Sequence, residues 1–524
     1  MTSTHDIDTP VLVVGGSLVG LSAAVFLAWR GVPTVVVEKH AGSAAHPRAI
    51  GYTTRTLELF RAVGLDSAIP VIPGDSKPPG RARVESLAGQ RITEYPWTPP
   101  TDRPRLEYSL SKAIAVAQDR LEPLLRAKAL ELGADLRPGT TLLGLAQDVD
   151  GVTATVRRAD GQEYRIRARY VIAADGARSP IRESLGIGRD GRGLLSVQRS
   201  VLFRADLDEY LRDGIVQFEI DQPDLQAFLT TYSDGRWVLM APGDYDREES
   251  EWRGLIEKAI GRTDLDIEIL TTGRWELAAL IADRFSDGRV FLAGDAAHQL
   301  PPNRGGYGAN TGIEDAHNLA WKLAEVLAGR SDPSLLGTYD AERRPIALLR
   351  HEQIFARADY KAHLTTDAPA AEVIDDDAME LGQLYRSAAV LGAGPELPRA
   401  QRPEQWAGQP GTRAPHVRVR AGDREISTLD LFQRGWVLLS EDADWSTTAA
   451  AAADKLGLEV TFVHIGVDAE PVDPQAFRDF YGIGANGATL VRPDGYIAWR
   501  TTDRPADAAG VFVAALAEVS AAVS

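Results

Sequence analysis

The chain has 524 residues, 44% of them apolar, and a formal net charge of −17, enough length for two or three cores because single cores stop growing at roughly 250–300 residues. The acidic balance, without a long basic run, offers nothing to neutralise a phosphate backbone and argues against nucleic acid as a partner. The absence of cysteine excludes disulfides, thiolate metal ligands and a redox dithiol, while the lack of any run near the ~20 apolar residues that span a bilayer, or of a basic-then-apolar leader, predicts a cytoplasmic protein with no membrane partner.

Val11–Val14 reads as a buried parallel strand and Leu21–Trp29 as a packed helix. Between them stands Gly15-Gly16-Ser17-Leu18-Val19-Gly20. Gly15 permits a tight turn, Gly20 lets helix and strand pack closely, and the free N–H groups at the helix start face a pyrophosphate. Ser17 replaces the middle glycine of the dinucleotide fingerprint; it is small, and its hydroxyl can donate to phosphate. A second strand, Thr34–Val37, ends at Glu38, with Lys39 next. An acid there accepts hydrogen bonds from ribose hydroxyls, which favours FAD or NAD. Gly15, Ser17, Leu18, Val19, Gly20, Glu38 and Lys39 are therefore the expected cofactor contacts of this unit.

Gln118–Leu125 reads as a charged helix with inward leucines. Tyr170–Ala174 reads as a strand that stops at Asp175-Gly176, before a helix with Ser179 as cap and Pro180 at its first position. Gly186, Gly188 and Gly191, and again Gly482, Gly484 and Gly487, spell the fingerprint but lack the strand, turn, helix order, so loops are predicted. Val216–Ile220 alternates, and Phe228–Met240 flanks an Asp234-Gly235 turn, which predicts a β-hairpin. Phe228, Tyr232 and Trp237 are candidates to face a flat ligand, with core packing as the alternative.

Arg289–Ala293 predicts a strand ending at Gly294 and Asp295, and the loop Pro301–Gly312 leads into an apolar-periodic helix over Ile313–Leu327. Gly305, Gly306 and Gly308 leave room for a flat ring. His298 is expected to be a local hydrogen-bonding residue, and no metal is predicted. The acid and arginine run Tyr339–Pro345 is expected to be a solvated helix face. Five prolines within 393–417 suggest an extended linker, after which Trp436–Leu439, Val460–Ile465 and Ala488–Val491 are strand-like.

Together, the turn Gly15–Gly20, the helix Gln118-Asp119-Arg120-Leu121-Glu122-Pro123, the Asp175-Gly176 segment and Gly294-Asp295 with the loop Pro301–Gly312 resemble the class A flavoprotein monooxygenases, the aromatic hydroxylases related to para-hydroxybenzoate hydroxylase and phenol hydroxylase. The overall look is similar to the branch that includes hydroxylases of aromatic polyketides such as anthracycline intermediates. The resemblance implies non-covalent FAD, with Asp295 and Gly294 at the ribityl chain and Pro301, Gly306, Gly308, Ala309 and Asn310 beside the isoalloxazine ring. It implies that Gln118 contacts ribityl or phosphate oxygens, that Arg48 of His46-Pro47-Arg48-Ala49 reaches toward the cofactor, and that Asp175 lies near FAD and the nicotinamide. Pro302 is assigned to the substrate side.

The implied fold is α/β: a Rossmann-like FAD-binding domain (1–75, 105–185 and 286–392), an inserted β-sheet substrate domain (76–104 and 186–285), the linker 393–417, and a thioredoxin-like domain (418–524) without redox cysteines. That last domain is left a structural, lid-supporting or homodimer role, and residues beyond about 405 are expected to be dispensable for FAD binding. The implied reaction is reduction of FAD by NADPH or NADH, addition of O2 at flavin C4a, and transfer of one oxygen from the hydroperoxide to an electron-rich aromatic ring, with no obligatory catalytic side chain assigned. A Baeyer–Villiger monooxygenase on the same fold and a non-enzymatic flavin-binding sensor are the alternatives.

Overall fold

The structure is a computed structural model that describes residues 7–70, 80–96, 106–211, 213–302, 306–357 and 372–523. The domain limits expected near 75 and 104 lie outside the described residues.

The first sheet is eight-stranded, and its centre is built on apolar runs. Ile7–Val14 lies at its centre, parallel to Thr34–Glu38 on one side and to Glu163–Ala173 on the other, and the parallel order extends to Asp135–Pro138 and Val290–Leu292. Val11, Leu12 and Val13 are completely buried, as expected of strands covered on both faces. The chain leaves Ile7–Val14 where the strand order reverses, the place at which open α/β sheets bind ligands. Helix Leu18–Trp29 starts there and packs against the 21-residue helix Tyr307–Leu327.

The second sheet is mixed and eight-stranded, with the order His298–Gln299, Glu268–Ala282, Arg189–Arg204, Arg236–Pro242, Leu225–Thr231, Ile215–Gln222, Gly80–Val84, Arg91–Pro96. Its two long strands, Arg189–Arg204 and Glu268–Ala282, pair antiparallel. On one face Val201, Phe203, Phe218, Leu229 and Leu239 form a core with Trp252 and Ile256 of helix Glu249–Ile260. Trp237 belongs to that core and is 1% exposed, which removes it from the ligand candidates. The two-residue period of the strand sends Phe228, Thr230 and Met240 to the opposite face. The hairpin predicted at Asp234-Gly235 is present, with Ser233 and Gly235 at positive φ.

The C-terminal part holds a four-stranded sheet, Val460–His464, Trp436–Ser440, Ala488–Val491, Ile497–Thr501, in which only the first pair is parallel. Helices Trp445–Leu456 and Ala508–Ser520 pack together beside it, a thioredoxin-like arrangement. Residues 393–417 are not an extended linker. Their backbone is paired into the fold, with Gly411 N–H donating to Ile497 O and Ala414 N–H to Gly495 O, 2.8 and 2.9 Å, and Trp406, Arg413 and Ala414 are buried. The prolines set turns here, and the neighbouring N–H groups find carbonyl partners.

Nor are the two regions separable. Trp436, Leu438, Trp445 and Phe512 join the same apolar core as Val11 and Phe26, and Trp321 meets Trp436 edge to face at 5.8 Å. The run Tyr339–Pro345, expected to be solvated, buries Glu342 and Arg343 to 1% and 0% exposure. Glu342 accepts from Lys322 at 2.8 Å and from Arg492 at 2.6 and 3.0 Å, while Arg492 also pairs with Asp494. Desolvation on this scale is tolerated only when each charge is matched, and one of the two matching cations, Arg492, comes from just after the C-terminal strand Ala488–Val491. The expectation that residues beyond 405 are dispensable is corrected accordingly.

Candidate functional site

The turn after Ile7–Val14 has no room for side chains. Gly15 has φ +109°, and a Cβ there would stand 2.2 Å from Ala174 O; a Cβ on Gly20 would stand 1.8 Å from Gly15 O. Ser17 caps helix Leu18–Trp29 without a side-chain hydrogen bond to it, so the first-turn N–H groups, at the positive end of the helix, remain available to an anion. The Ser17 hydroxyl, expected to face phosphate, instead donates to Glu122 Oε1 at 2.5 Å and accepts from Gln118 Nε2 at 3.0 Å. Glu38 stands at the end of its strand and accepts from Gly16 N at 2.6 Å and His40 N at 2.8 Å. It thus steadies the glycine turn while its remaining lone pairs stay open. Leu18 is buried, Val19 half-buried and Lys39 exposed.

The second half of the cleft surrounds Gly294 and Asp295. Gly294 has φ +61°, and its missing Cβ would meet Val19 Cγ2 at 2.8 Å. Gly312 closes the same contact: a Cβ there would lie 2.9 Å from Gly294 Cα. Asp295 is open to solvent yet enclosed by protein on most sides, as at the floor of a cleft. The enclosure raises its pKa, opposed by His298 and Arg48. Asp315 lies beneath this loop, accepting from Gly294 N at 3.2 Å, from His298 Nε2 at 2.6 Å and from Arg343 Nε at 2.7 Å. Burial alone would raise the Asp315 pKa; His298 and Arg343 hold it below the usual carboxylate range. His298 is thus a local hydrogen-bonding residue whose acid is Asp315. Sequence reasoning passed over Asp315, because it stands among Glu314, His317 and Asn318 and nothing local distinguishes it; only the fold shows that it is buried against His298 and Arg343.

Pro301 is buried and Pro302 exposed, whereas Asn303, Arg304 and Gly305 lie outside the described residues. Gly306 takes the left-handed conformation before helix Tyr307–Leu327. A Cβ on Gly308 would meet Leu300 O at an ordinary 3.6 Å, so this glycine is open to a neighbour, and Ala309 is half-buried. The Asn310 side chain is fully engaged: its Oδ1 accepts from Thr53 N and Thr56 Oγ1 at 3.0 and 2.6 Å, and its Nδ2 donates to Gly51 O and Gly306 O at 3.1 and 2.9 Å. It clamps the loop and can meet a cofactor only through its backbone. Asp175 likewise works within the chain, accepting from Ser179 Oγ at 2.6 Å and Ile181 N at 3.1 Å.

Gln118 draws the two halves together. Its Oε1 accepts from the backbone N–H groups of Arg48 and Ala49, both at 3.2 Å, and its Nε2 reaches Glu122 at 2.8 Å. Glu122, four residues on and on the same helix face, was not singled out from the sequence. The Arg48 side chain is exposed, with its guanidinium 5.9 Å from the centre of the Trp275 ring. Across the cleft, Tyr232 Oη donates to Pro47 O at 2.7 Å, and Phe228 lies half-buried on the same sheet face. The glycine cradle, the open helix start and the carboxylates at each end fit a dinucleotide with a flat ring system. No group of three His, Asp or Glu residues suited to a metal occurs among the described residues. A cavity of about 400 Å³ between Trp29, Glu58, Arg61, Ser427 and Arg434 lies apart from this cleft.

A family model described as FAD binding domain matches residues 8–352, and one described as aromatic-ring hydroxylase, C-terminal, matches residues 407–522. The chain is 40% identical to a 4-methyl-5-nitrocatechol 5-monooxygenase from Burkholderia sp, over 98% of each chain. It is 39% identical to aklavinone 12-hydroxylase RdmE from Streptomyces purpurascens, covering 98% of this chain and 99% of that one. Among solved structures it superposes on aklavinone-11 hydroxylase in a ternary complex with FAD and aklavinone, with a TM-score of 0.88, 36% identity, and coverage of 99% and 100%.

Proposed function

Because the chain belongs to the FAD-dependent aromatic-ring hydroxylases, we propose that it is a cytoplasmic enzyme that inserts one atom of O2 into a phenolic ring of an aromatic polyketide, with NADPH or NADH as reductant. The observation that carries the site assignment is that His298–Gln299, just after Gly294 and Asp295, is the edge strand of the second sheet, pairing with Ile281 and Leu280. The loop expected at the flavin and the sheet expected at the substrate are therefore hydrogen-bonded into one piece. A ligand on the free sheet face lies between Phe228, Met240 and Trp275 and the cofactor loop. FAD, when bound, supplies hydride acceptance and oxygen activation.

The protein's own residues hold and shield. Backbone N–H groups at the start of helix Leu18–Trp29 receive the pyrophosphate, and Glu38 and Asp295 receive ribose and ribityl hydroxyls. Pro301, Gly306, Gly308 and the Asn310 backbone line the ring, Arg48 and Gln118 bound the cleft, and Phe228 and Tyr232 exclude water on the substrate side. A substituted single-ring phenol is the second reading, favoured by the Burkholderia relative.

Incubating the holoenzyme with reduced nicotinamide and labelled O2 tests both substrate classes, with aklavinone and 4-methyl-5-nitrocatechol as probes. Substrate-stimulated nicotinamide oxidation and one labelled atom in the product are expected. Carbon NMR separates a new phenolic or quinol carbon from the ester carbonyl of a Baeyer–Villiger product, and binding of flavin without stimulated turnover would replace the enzyme with a sensor.

A further inference from the structure

Three side chains that no cofactor role explains form an unbroken hydrogen-bonded line from the second sheet to the loop 46–49. Trp275 Nε1 donates to Ser200 Oγ at 2.8 Å, Ser200 Oγ lies 2.9 Å from His46 Nε2, and His46 Nδ1 lies 3.3 Å from Pro47 O. Donor chemistry fixes the direction of the line. An indole N–H only donates, so Ser200 accepts from Trp275; a carbonyl only accepts, so the neutral His46 ring carries its proton on Nδ1, facing Pro47 O, and its Nε2 accepts the Ser200 proton. Burial lowers the His46 pKa, in keeping with the neutral ring.

The packing around this line leaves little slack. His46 and Trp275 meet edge to face at 5.6 Å. Gly273, directly opposite Ser200 in the sheet, is where a Cβ would stand 2.9 Å from Ser200 Oγ and 3.1 Å from His46 Cδ2. The Pro47 carbonyl also receives Tyr232 Oη. From the other side Gln118 grips the next two residues, Arg48 and Ala49, and passes to Ser17 in the glycine turn. The route from substrate face to phosphate turn is Trp275, Ser200, His46, the Pro47–Ala49 backbone, Gln118, Ser17.

We propose that Trp275, Ser200 and His46 are positioning residues that couple an aromatic ligand on the substrate face to FAD in its cradle, so that each tightens the other's binding. The inference rests on the reading that this face takes an aromatic ligand. Trp275 is half-buried; a ring packed against it fixes the indole, and with it the serine and imidazole rotamers that set the loop. The loop is then ordered before FAD binds, and by linkage the effect is reciprocal.

The test is the FAD dissociation constant of the apoprotein, measured by flavin fluorescence with and without saturating aklavinone or 4-methyl-5-nitrocatechol. In the wild type one of these probes is expected to tighten FAD by about 5-fold or more, the lower end of ordinary allosteric coupling. Ser200→Ala is expected to leave the FAD constant without probe within about 3-fold of wild type and to bring the coupling close to 1. Trp275→Phe keeps the ring under Arg48 but lacks the N–H; it should lose coupling likewise and serves as the second variant if Ser200→Ala does not fold. Coupling absent from the wild type despite probe binding, or equal in wild type and variants, overturns the inference alone. Failure of both probes to bind the wild-type holoenzyme overturns the functional reading and the coupling with it.

Discussion

The two large sheets solve opposite problems. The sheet that carries the nucleotide turn is covered on both faces at its parallel centre, and its site is made of missing atoms: Gly15, Gly20, Gly294 and Gly312 are where any Cβ would collide with backbone or with Val19. The mixed sheet packs one face against helix Glu249–Ile260 and turns side chains of the other toward the cleft and the loop 46–49. A cradle of backbone fits one ligand of fixed shape, whereas a face of side chains can be recut without disturbing the core behind it. Cofactor and substrate specificity therefore evolve on different parts of the chain, joined at the edge strand His298–Gln299 and at the loop 46–49.

The strongest way to break this comparison is to remove the C-terminal sheet, which belongs to neither site. Deleting residues 406–524 is expected to abolish folded, yellow protein, because it uncovers Trp321 and leaves Glu342 without Arg492; a soluble truncated protein with bound FAD would show that the shared core is not needed.

Acid is the next largest perturbation. Glu58, Asp315 and Glu342 are buried, and burial alone would raise their pKa values, but arginine partners, with Lys322 at Glu342 and His298 at Asp315, hold them below the usual range. Their folded pKa values lie below the unfolded ones, so the stability they confer is present above about pH 5 and is lost as pH falls, by several kcal/mol in all. Asp295 and Glu380, raised mainly by burial, titrate in the opposite sense and only blunt the fall. A melting temperature unchanged between pH 6 and pH 3.5 would contradict this account.

Within the hairpin, Trp237→Ala is expected to cost about 3–5 kcal/mol of stability, as for other buried tryptophans. Asp295→Ala should weaken FAD binding by about 1.5–3 kcal/mol and scarcely move the melting point of the apoprotein, since the side chain is open to the cleft. Flavin titration beside melting curves separates the two kinds of loss. The smallest effect belongs to Phe228→Ala, at about 1 kcal/mol or less in stability, its consequence appearing in aromatic-ligand affinity. If Phe228 and Trp237 behaved alike in melting experiments, the assignment of faces would be wrong.

Local rules made the cradle legible. Strand, glycine turn, helix and terminal acid are close in sequence, each with its own backbone requirement, and the decoy glycines at 186–191 and 482–487 were set aside for lacking that order. In the structure Gly482 ends helix Pro474–Tyr481, but Gly191 sits inside a strand and not in the predicted loop, because Arg189–Arg204 pairs with Glu268–Ala282 from its first residue. Charge and proline content misled where tertiary partners decide. The run Tyr339–Pro345 looks solvated until Lys322 and Arg492 are placed beside Glu342, and residues 393–417 look extended until their N–H groups find carbonyls across the chain. Ser17 and Asn310 teach the same lesson inside the site: a polar residue at a predicted contact position was already committed to a neighbour far away in sequence.

The ion pair between Glu342 and Arg492 spans 150 residues of chain, and that distance is also an interval of time. At about 5–20 residues per second of synthesis, Glu342 leaves the ribosome roughly 8–30 s before its partner. Through that interval the helix Tyr307–Leu327 has its glycine turn and its loop but not the Arg492 that completes its lid. Chains arrested at residue 480 are accordingly expected to be cut by protease within helix Tyr307–Leu327 or Thr338–Ala356, and chains extended through residue 524 to resist, so that the helices behind the cofactor cradle are secured by a segment made long after them.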